Sequence, residues 1–265
     1  MCLRNTITEP VDISDQTASP ATISHLGVLY AKAYEVICGK QPKVRPWHFQ
    51  WLSNRKLHAH LFEILPGLEG RVLDVGCGEK PYSAWLDPHK TELVGIDISA
   101  KTKADLVVNP NKAWPLEDSS FDAILCTQVL EHVTDADSVL KEIARVLKPS
   151  GLIVVTVPFI YNVHGGPSDY RRFSQQGICQ LFQKDADILE VRAQGGIGST
   201  IGTLWLNWLE TATNKSKLTR LAKGILMPAW ILISFATNMG GWLLDQLDRT
   251  QSFYGNVLLV ARRHD

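Results

Sequence analysis

The chain has 265 residues, 45% of them hydrophobic and 20% charged, with 27 lysines and arginines balanced by 27 aspartates and glutamates. That length suffices for one full α/β core with appendages, and a net charge of zero argues against the basic footprint that grips long nucleic acid. The five cysteines, Cys2, Cys38, Cys77, Cys126 and Cys179, form no C-x-x-C pair. They read as reduced thiols in a cytoplasmic setting and argue against a disulfide or zinc framework.

Residues 1–20 are polar and turn-rich, show no basic-then-apolar leader, and read as a mobile tail. From Ala21 to Cys38, Ile23, Leu26, Tyr30, Ala33, Tyr34 and Ile37 recur at helical spacing. A basic linker from Lys40 to Pro46 leads to a second expected helix, Trp47 to Leu65, ended by Pro66-Gly67. Residues 21–65 are thus expected to form a helical cap, and residues 66–265 the main domain.

That domain opens on Arg71-Val72-Leu73-Asp74-Val75-Gly76-Cys77-Gly78. The apolar run suits a strand buried on both faces, and the glycines let backbone N–H groups approach a ligand. Glu79-Lys80-Pro81 follows, where proline suits the first turn of a helix. A second strand-like run, Glu92 to Ile96, ends at Asp97, at the spacing of about 20 residues that marks a ribose-hydroxyl acceptor. Two acids and a glycine turn describe an adenosine site. Pro81 stands where a dinucleotide fingerprint needs its third glycine, and Asp74 would repel a pyrophosphate. An acid at that place suits a cofactor with an ammonium and a sulfonium group.

At this point the chain resembles the class I S-adenosylmethionine-dependent methyltransferases, whose first motif is a strand followed by Asp-x-Gly-x-Gly; Lys80 departs from it, where that family usually has a further glycine. The resemblance continues through Trp114-Pro115-Leu116 and the strand Phe121 to Cys126. It extends to Leu130-Glu131-His132, in the manner of the type 11 group that includes the ubiquinone-pathway enzymes. It implies a Rossmann-like, doubly wound, seven-stranded α/β sheet with its last strand antiparallel. The further strands fall at 104–108, 152–157, 188–192 and 256–261, and Asp135 caps a helix running to Leu147. The implied cofactor is S-adenosylmethionine. Gly76, Cys77 and Gly78 would line its methionine part, Asp74 would meet the ammonium, and Asp97 with Ile98 would hold the ribose. Asn109 or Asn111 would accept the adenine amino group, Trp114 would lie beside the adenine, and Gln128 would complete the cofactor site.

The loop from Pro158 to Phe173 resembles a His-x-x-Pro-x-Asp-Tyr-x-Arg segment of type 11 methyltransferases. It implies an acceptor side with His164, and then His132, as the groups that take a proton from a hydroxyl acceptor. In the alternative reading Asp169 and an arginine tie the loop together by an ion pair and Tyr170 packs as a wedge. A metal site on Gln128-x-x-Glu131-His132 with His164 is disfavoured, because Gln128 removes one of the carboxylates a hard cation prefers. The acceptor is expected to be a small or lipid-linked molecule, methylated on oxygen. The rival is a non-catalytic cofactor-binding or membrane-associated interaction protein with the same fold.

Between the last two strands, at about 198–250, lies an apolar insertion. Gly224 to Leu244 contains no charged residue, and Lys215, Lys217, Arg220 and Lys223 precede it. The last strand must rejoin the sheet, so a single bilayer crossing is incompatible with the fold. A helix lying along a membrane surface, a dimer contact or an acceptor lid are the remaining readings.

Overall fold

The computed structural model describes residues 25–166 and 168–265. The expected tail at 1–20 and the beginning of the first expected helix, at 21–24, lie outside the described residues. Two helices lead, α1 (His25–Cys38) and α2 (Trp51–Ile64), followed by β1 (Gly70–Val75), β2 (Thr91–Asp97), β3 (Leu106–Val107) and β4 (Phe121–Thr127). Then come α3 (Ala136–Val146), β5 (Leu147–Pro158), α4 (Gln175–Phe182) and β6 (Ala186–Gln194). The insertion is α5 (Ile197–Asn214), α6 (Lys217–Ile225) and α7 (Met227–Leu247), and β7 (Asn256–Arg263) closes the sheet.

The strands lie in the order β3-β2-β1-β4-β5-β7-β6. Strands β1 to β5 run parallel, and β7 is antiparallel to both β5 and β6, with Val155 opposite Leu259 and Val191 opposite the same residue. Alternation along the strands sends side chains into two separate cores. Leu73, Ile124, Cys126 and Val155 meet Val139 and Ile143 of α3 and Ile178 of α4. Val72, Leu125, Val154 and Leu258 meet Leu57 and Leu61 of α2 on the other face. Each fully buried leucine or isoleucine contributes about 1.5–3 kcal/mol, and this two-sided burial is why the strand sequences read as continuous apolar runs.

No helix follows the glycine turn. Residues 79–90 form turns with a single 3-10 turn at Ser83–Trp85. Lys80 adopts φ +51° in the left-handed region, Pro81 lacks a backbone donor, and Pro88 precedes β2 closely, so a regular helix has no room to propagate. Lys80 replaces the expected glycine with a purpose. Its Nζ lies 2.5 Å from Asp105 Oδ2, and the same carboxylate oxygen accepts the Gly95 N–H at 2.7 Å. That bridge ties the turn after β1 to β2 and to the residue before β3.

The cap and the insertion pack on each other. Tyr34 and Cys38 of α1 share a cluster with Leu206 of α5 and Trp230 of α7. Asn238 of α7 donates to the carbonyl oxygens of Pro46 and His48 at 2.7 and 2.8 Å. The start of α5 is held from the end of α7: Asp248 accepts the Ile197 N–H and Asp245 the Ser199 N–H, acids placed where a helix N-terminus favours them. The α5–α7 crossing is close because Gly198 and Gly241 face each other. A Cβ on Gly198 would overlap the Gly241 carbonyl oxygen and lie 2.8 Å from Leu244 Cβ.

Candidate active site

A cavity of about 420 Å³ opens at the carboxyl ends of β1, β2 and β4, the place where open α/β sheets hold ligands. Gly76, Asp97, Ile98, Trp114, Gln128 and His132 line it, all six of them expected from the sequence. Five other expected residues, Asp74, Cys77, Gly78, Asn109 and His164, are not on its wall.

The turn after β1 is shaped by its neighbours. Gly76 has φ +67°, and a Cβ there would lie 2.5 Å from Val129 Cγ2, so only glycine fits. Asp97 Oδ2 accepts the Gly78 N–H at 3.0 Å and its Oδ1 the Ser99 N–H at 2.9 Å. The carboxylate is thereby fixed while it faces the cavity. Cys77 is buried, and burial raises its thiol pKa to about 11, so its contribution at this turn is backbone alone. Asp74 is only 3% exposed; burial pushes its pKa up to about 7, against the pull of Lys80 and with the push of Asp97. A carboxyl in that state gains from any cation brought near it.

On the far side Val108 and Pro110 form the wall, while Asn109 Oδ1 accepts the Asn111 N–H at 2.9 Å. The expected amide at Asn109 therefore closes a local turn, for which Asn is well suited. Trp114 is held by α3. Its N–H donates to Glu142 Oε2 at 2.7 Å, and Arg145 donates to its carbonyl oxygen at 3.1 Å. The Trp114 indole N–H itself is buried without an acceptor. Gln128, at the end of β4, sits at φ +55°, a strained conformation held by its N–H bond to the Thr156 carbonyl at 2.8 Å.

The other wall carries the acid–base groups. His132 Nδ1 donates to the Ser168 carbonyl oxygen, which leaves Nε2 as the free ring nitrogen. That Nε2 lies 3.8 Å from Glu131 Oε1. Glu131 is fully buried, neither carboxyl oxygen has a hydrogen-bond partner, and burial pushes its pKa up to about 7. The His164 ring meets His132 edge-on with centroids 4.9 Å apart, and Tyr161 at 5.1 Å. Burial lowers the His164 pKa, opposed by its contacts to the Asn162 carbonyl and Asp169.

The loop carrying His164 is tied as the alternative reading expected. Arg172 pairs with Asp169 at 2.8 Å and holds its carboxyl far below the usual range, and Asp169 in turn accepts the His164 N–H at 2.8 Å. Tyr170 is half exposed and is no wedge. Glu131, His132 and His164 each offer a ligand atom, all within 4.8 Å of one another. The set put aside in the sequence is thus brought together by the fold and has the geometry to hold a divalent cation. The cavity residues that sequence reasoning missed are mostly apolar, Val129, Val133 and Val139 among them, with Ser168 as the polar exception. Val139 lies on α3, where helical spacing marks it only as core.

Residues 73–155 match a family model described as a methyltransferase domain. Among curated proteins, the ubiquinone biosynthesis O-methyltransferase of Alkalilimnicola ehrlichii is 27% identical over 172 residues, covering 52% of this chain and 68% of that protein. The enzyme of the same name from Rhodopseudomonas palustris is 29% identical over 163 residues, covering 54% of this chain and 63% of that protein. The chain thus spans 68% and 63% of the lengths of these two relatives. Among solved structures, Haemonchus contortus phosphoethanolamine N-methyltransferase 2, in complex with phosphomonomethylethanolamine and S-adenosylhomocysteine, aligns with a TM-score of 0.51 at 18% identity. That alignment covers 90% of this chain and 57% of the other, and it shows a shared fold.

Proposed function

We propose, from the premise that this chain carries a class I S-adenosylmethionine-dependent methyltransferase domain of the type 11 group, that it methylates a hydroxyl on a small or lipid-linked acceptor. The observation that supports this reading best is one cavity with Asp97 on one wall and His132, backed by His164 and Glu131, on another. S-adenosylmethionine supplies an electrophilic methyl group, so the protein's task is alignment and proton removal. The residues fit that cofactor: a turn with glycines at 76 and 78, a fixed carboxylate for a diol at Asp97, and a buried acid at Asp74 that a cation would relieve. Gly76 gives the methionine part its backbone wall, with Gly78 behind it holding Asp97, and Ile98 and Trp114 flank the adenosine. His164 and His132 take the acceptor's proton, each with its Nδ1 turned to a backbone carbonyl oxygen and Nε2 free. Peripheral membrane contact through 224–244 is proposed beside this reading and rests on separate observations.

Calorimetry tests the cofactor half. Asp97→Ala is expected to weaken S-adenosylmethionine at least tenfold, about 1.4 kcal/mol, with NAD bound by neither protein. Asp97→Asn, which keeps an acceptor for the Gly78 N–H, separates loss of the ribose contact from loss of the turn. Unchanged affinity in both variants removes Asp97 from the site.

Asp74 adds a pH dependence. Its folded pKa, about 7, lies above its ordinary 3.8, so between those values the folded protein keeps a proton that the unfolded chain releases. Stability contributed by this group is therefore lost as pH rises through that window, on the order of a few kcal/mol. Glu131, raised in the same sense, adds to the slope. Thermal melts at pH 5 and pH 8 are expected to show a decline that Asp74→Asn makes shallower. The cofactor should protect more at pH 8, where its ammonium meets a charged carboxylate; equal protection of wild type and variant counts against that pairing.

A further inference from the structure

The insertion leaves an apolar surface that nothing among the described residues covers. Helix α7 buries one narrow stripe, Trp230, Ser234, Asn238 and Gly241, while Leu232, Phe235 and Leu243 on its remaining circumference stand exposed. Helix α5 adds an exposed stripe at Ile201, Trp205 and Trp208, spaced i, i+4, i+7 along one side, with the two tryptophan rings stacked 5.2 Å apart. On α6, Leu218, Leu221 and Ile225 are also exposed, Leu218 by 76% and Ile225 by 72%. A helix without charge from Met227 to Leu244 and exposed over most of its girth needs a covering.

Charge decides what kind. From Thr211 to Leu244 there is no acidic residue and there are four basic ones, in a chain whose total is 27 against 27. Lys223 turns inward: it is buried, pairs with Glu210 at 2.5 Å and lies over the Trp230 ring. Lys215 and Arg220 remain exposed beside the apolar residues of α6. A second copy of the chain would stack this acid-free basic face on itself, with like charges opposed. An anionic lipid surface meets both halves of the pattern, with headgroups for the basic residues and acyl boundary for the leucines and tryptophans. Among the described residues no single helix is long and apolar enough to cross a membrane. Helices α6 and α7 pass that test only together, and they are bent by 78°.

We propose that the outer face of α5, α6 and α7 docks on an anionic bilayer surface without crossing it. The inference stands on this face alone and does not depend on the chemistry assigned to the cavity. It does place the bilayer near that chemistry, because Asn207 of α5 donates to Asn162 at 2.7 Å, in the loop that carries His164.

Flotation with phosphatidylglycerol–phosphatidylcholine vesicles, and with phosphatidylcholine alone, tests it on the full chain. The protein is expected to float with the anionic vesicles, to be released by salt, and to bind neutral vesicles weakly. The double variant Lys215→Glu/Arg220→Glu should lose at least about tenfold in anionic-vesicle binding, and Leu221→Ser/Ile225→Ser should lose binding that salt does not restore. All four side chains are exposed, so the variants should fold, which calorimetry with S-adenosylmethionine checks independently. Wild-type flotation by the charge-reversed variant, equal binding to neutral vesicles, or absence of binding overturns the proposal. So does a dimer in sedimentation equilibrium that Leu221→Ser/Ile225→Ser dissociates.

Discussion

Alanine at His164 is expected to lower the rate of methyl transfer about 10²–10⁴-fold, the usual cost of losing a general base, while cofactor affinity stays as in wild type. His164 and His132 form one edge-on pair beside the buried Glu131, so His132→Ala should cost a similar factor, and the double variant much less than the product of the two. Groups acting as a unit are not additive. Burial lowers the His164 pKa, which keeps the ring neutral and able to accept a proton at neutral pH. The rate should therefore rise with pH through a range below 6.5 and then level off. The same three residues can hold a divalent cation, and that alternative separates cleanly. If a cation is used, a chelator abolishes wild-type activity and added magnesium or zinc restores it. If the pair is a base, chelator has no effect. A soluble His164→Ala protein with wild-type turnover would leave the loop a purely structural element held by Asp169 and Arg172.

Valine at Gly198 is expected to cost about 3 kcal/mol, the upper part of the overpacking range, lowering the melting temperature by roughly 6–12 °C for a chain of this size. The obstacle is backbone: the new Cβ overlaps the Gly241 carbonyl oxygen, and the α5–α7 crossing must open to admit it. Removing a helical glycine should itself gain up to about 1 kcal/mol, and here the clash outweighs that gain. Gly240 supplies the contrast. Nothing lies within 4 Å of a Cβ there, and Gly240→Ala should be neutral or slightly stabilising in the same melting experiment. Equal melting temperatures for Gly198→Val and wild type would mean that the two helices do not cross at this glycine pair.

The sheet was legible because its strands are buried on both faces and their apolar runs end at turn-forming residues: Val72 to Val75 before Gly76, and Phe121 to Cys126 before Gln128. Asp135 announced its helix by residue type, and its side chain accepts the Ser138 N–H. The helix expected after Gly78 failed because Lys80 takes a left-handed conformation that residue type alone does not announce. The cavity was half legible. Gly76 and Asp97 sit at the ends of two adjacent parallel strands, β1 and β2, whereas Glu131, His132 and His164 meet only through a loop closed by the Asp169–Arg172 pair. A carboxyl with ordinary chemistry in the sequence becomes an acid with a pKa near 7 only once the surrounding core excludes water. Lys223 shows the converse: a lysine expected at a surface turned inward to Glu210 and two aromatic rings.

The bond from Asn238 to the carbonyls of Pro46 and His48 spans 190 and 192 positions of chain. Closing a loop of that length costs about 2–3 kcal/mol more entropy than closing a ten-residue turn, and contacts of such high order form late on the way to the native state. The leading helices and the insertion are therefore expected to order together, and an event that loosens α7 to loosen the leading helices with it, as one cooperative unit laid over the sheet.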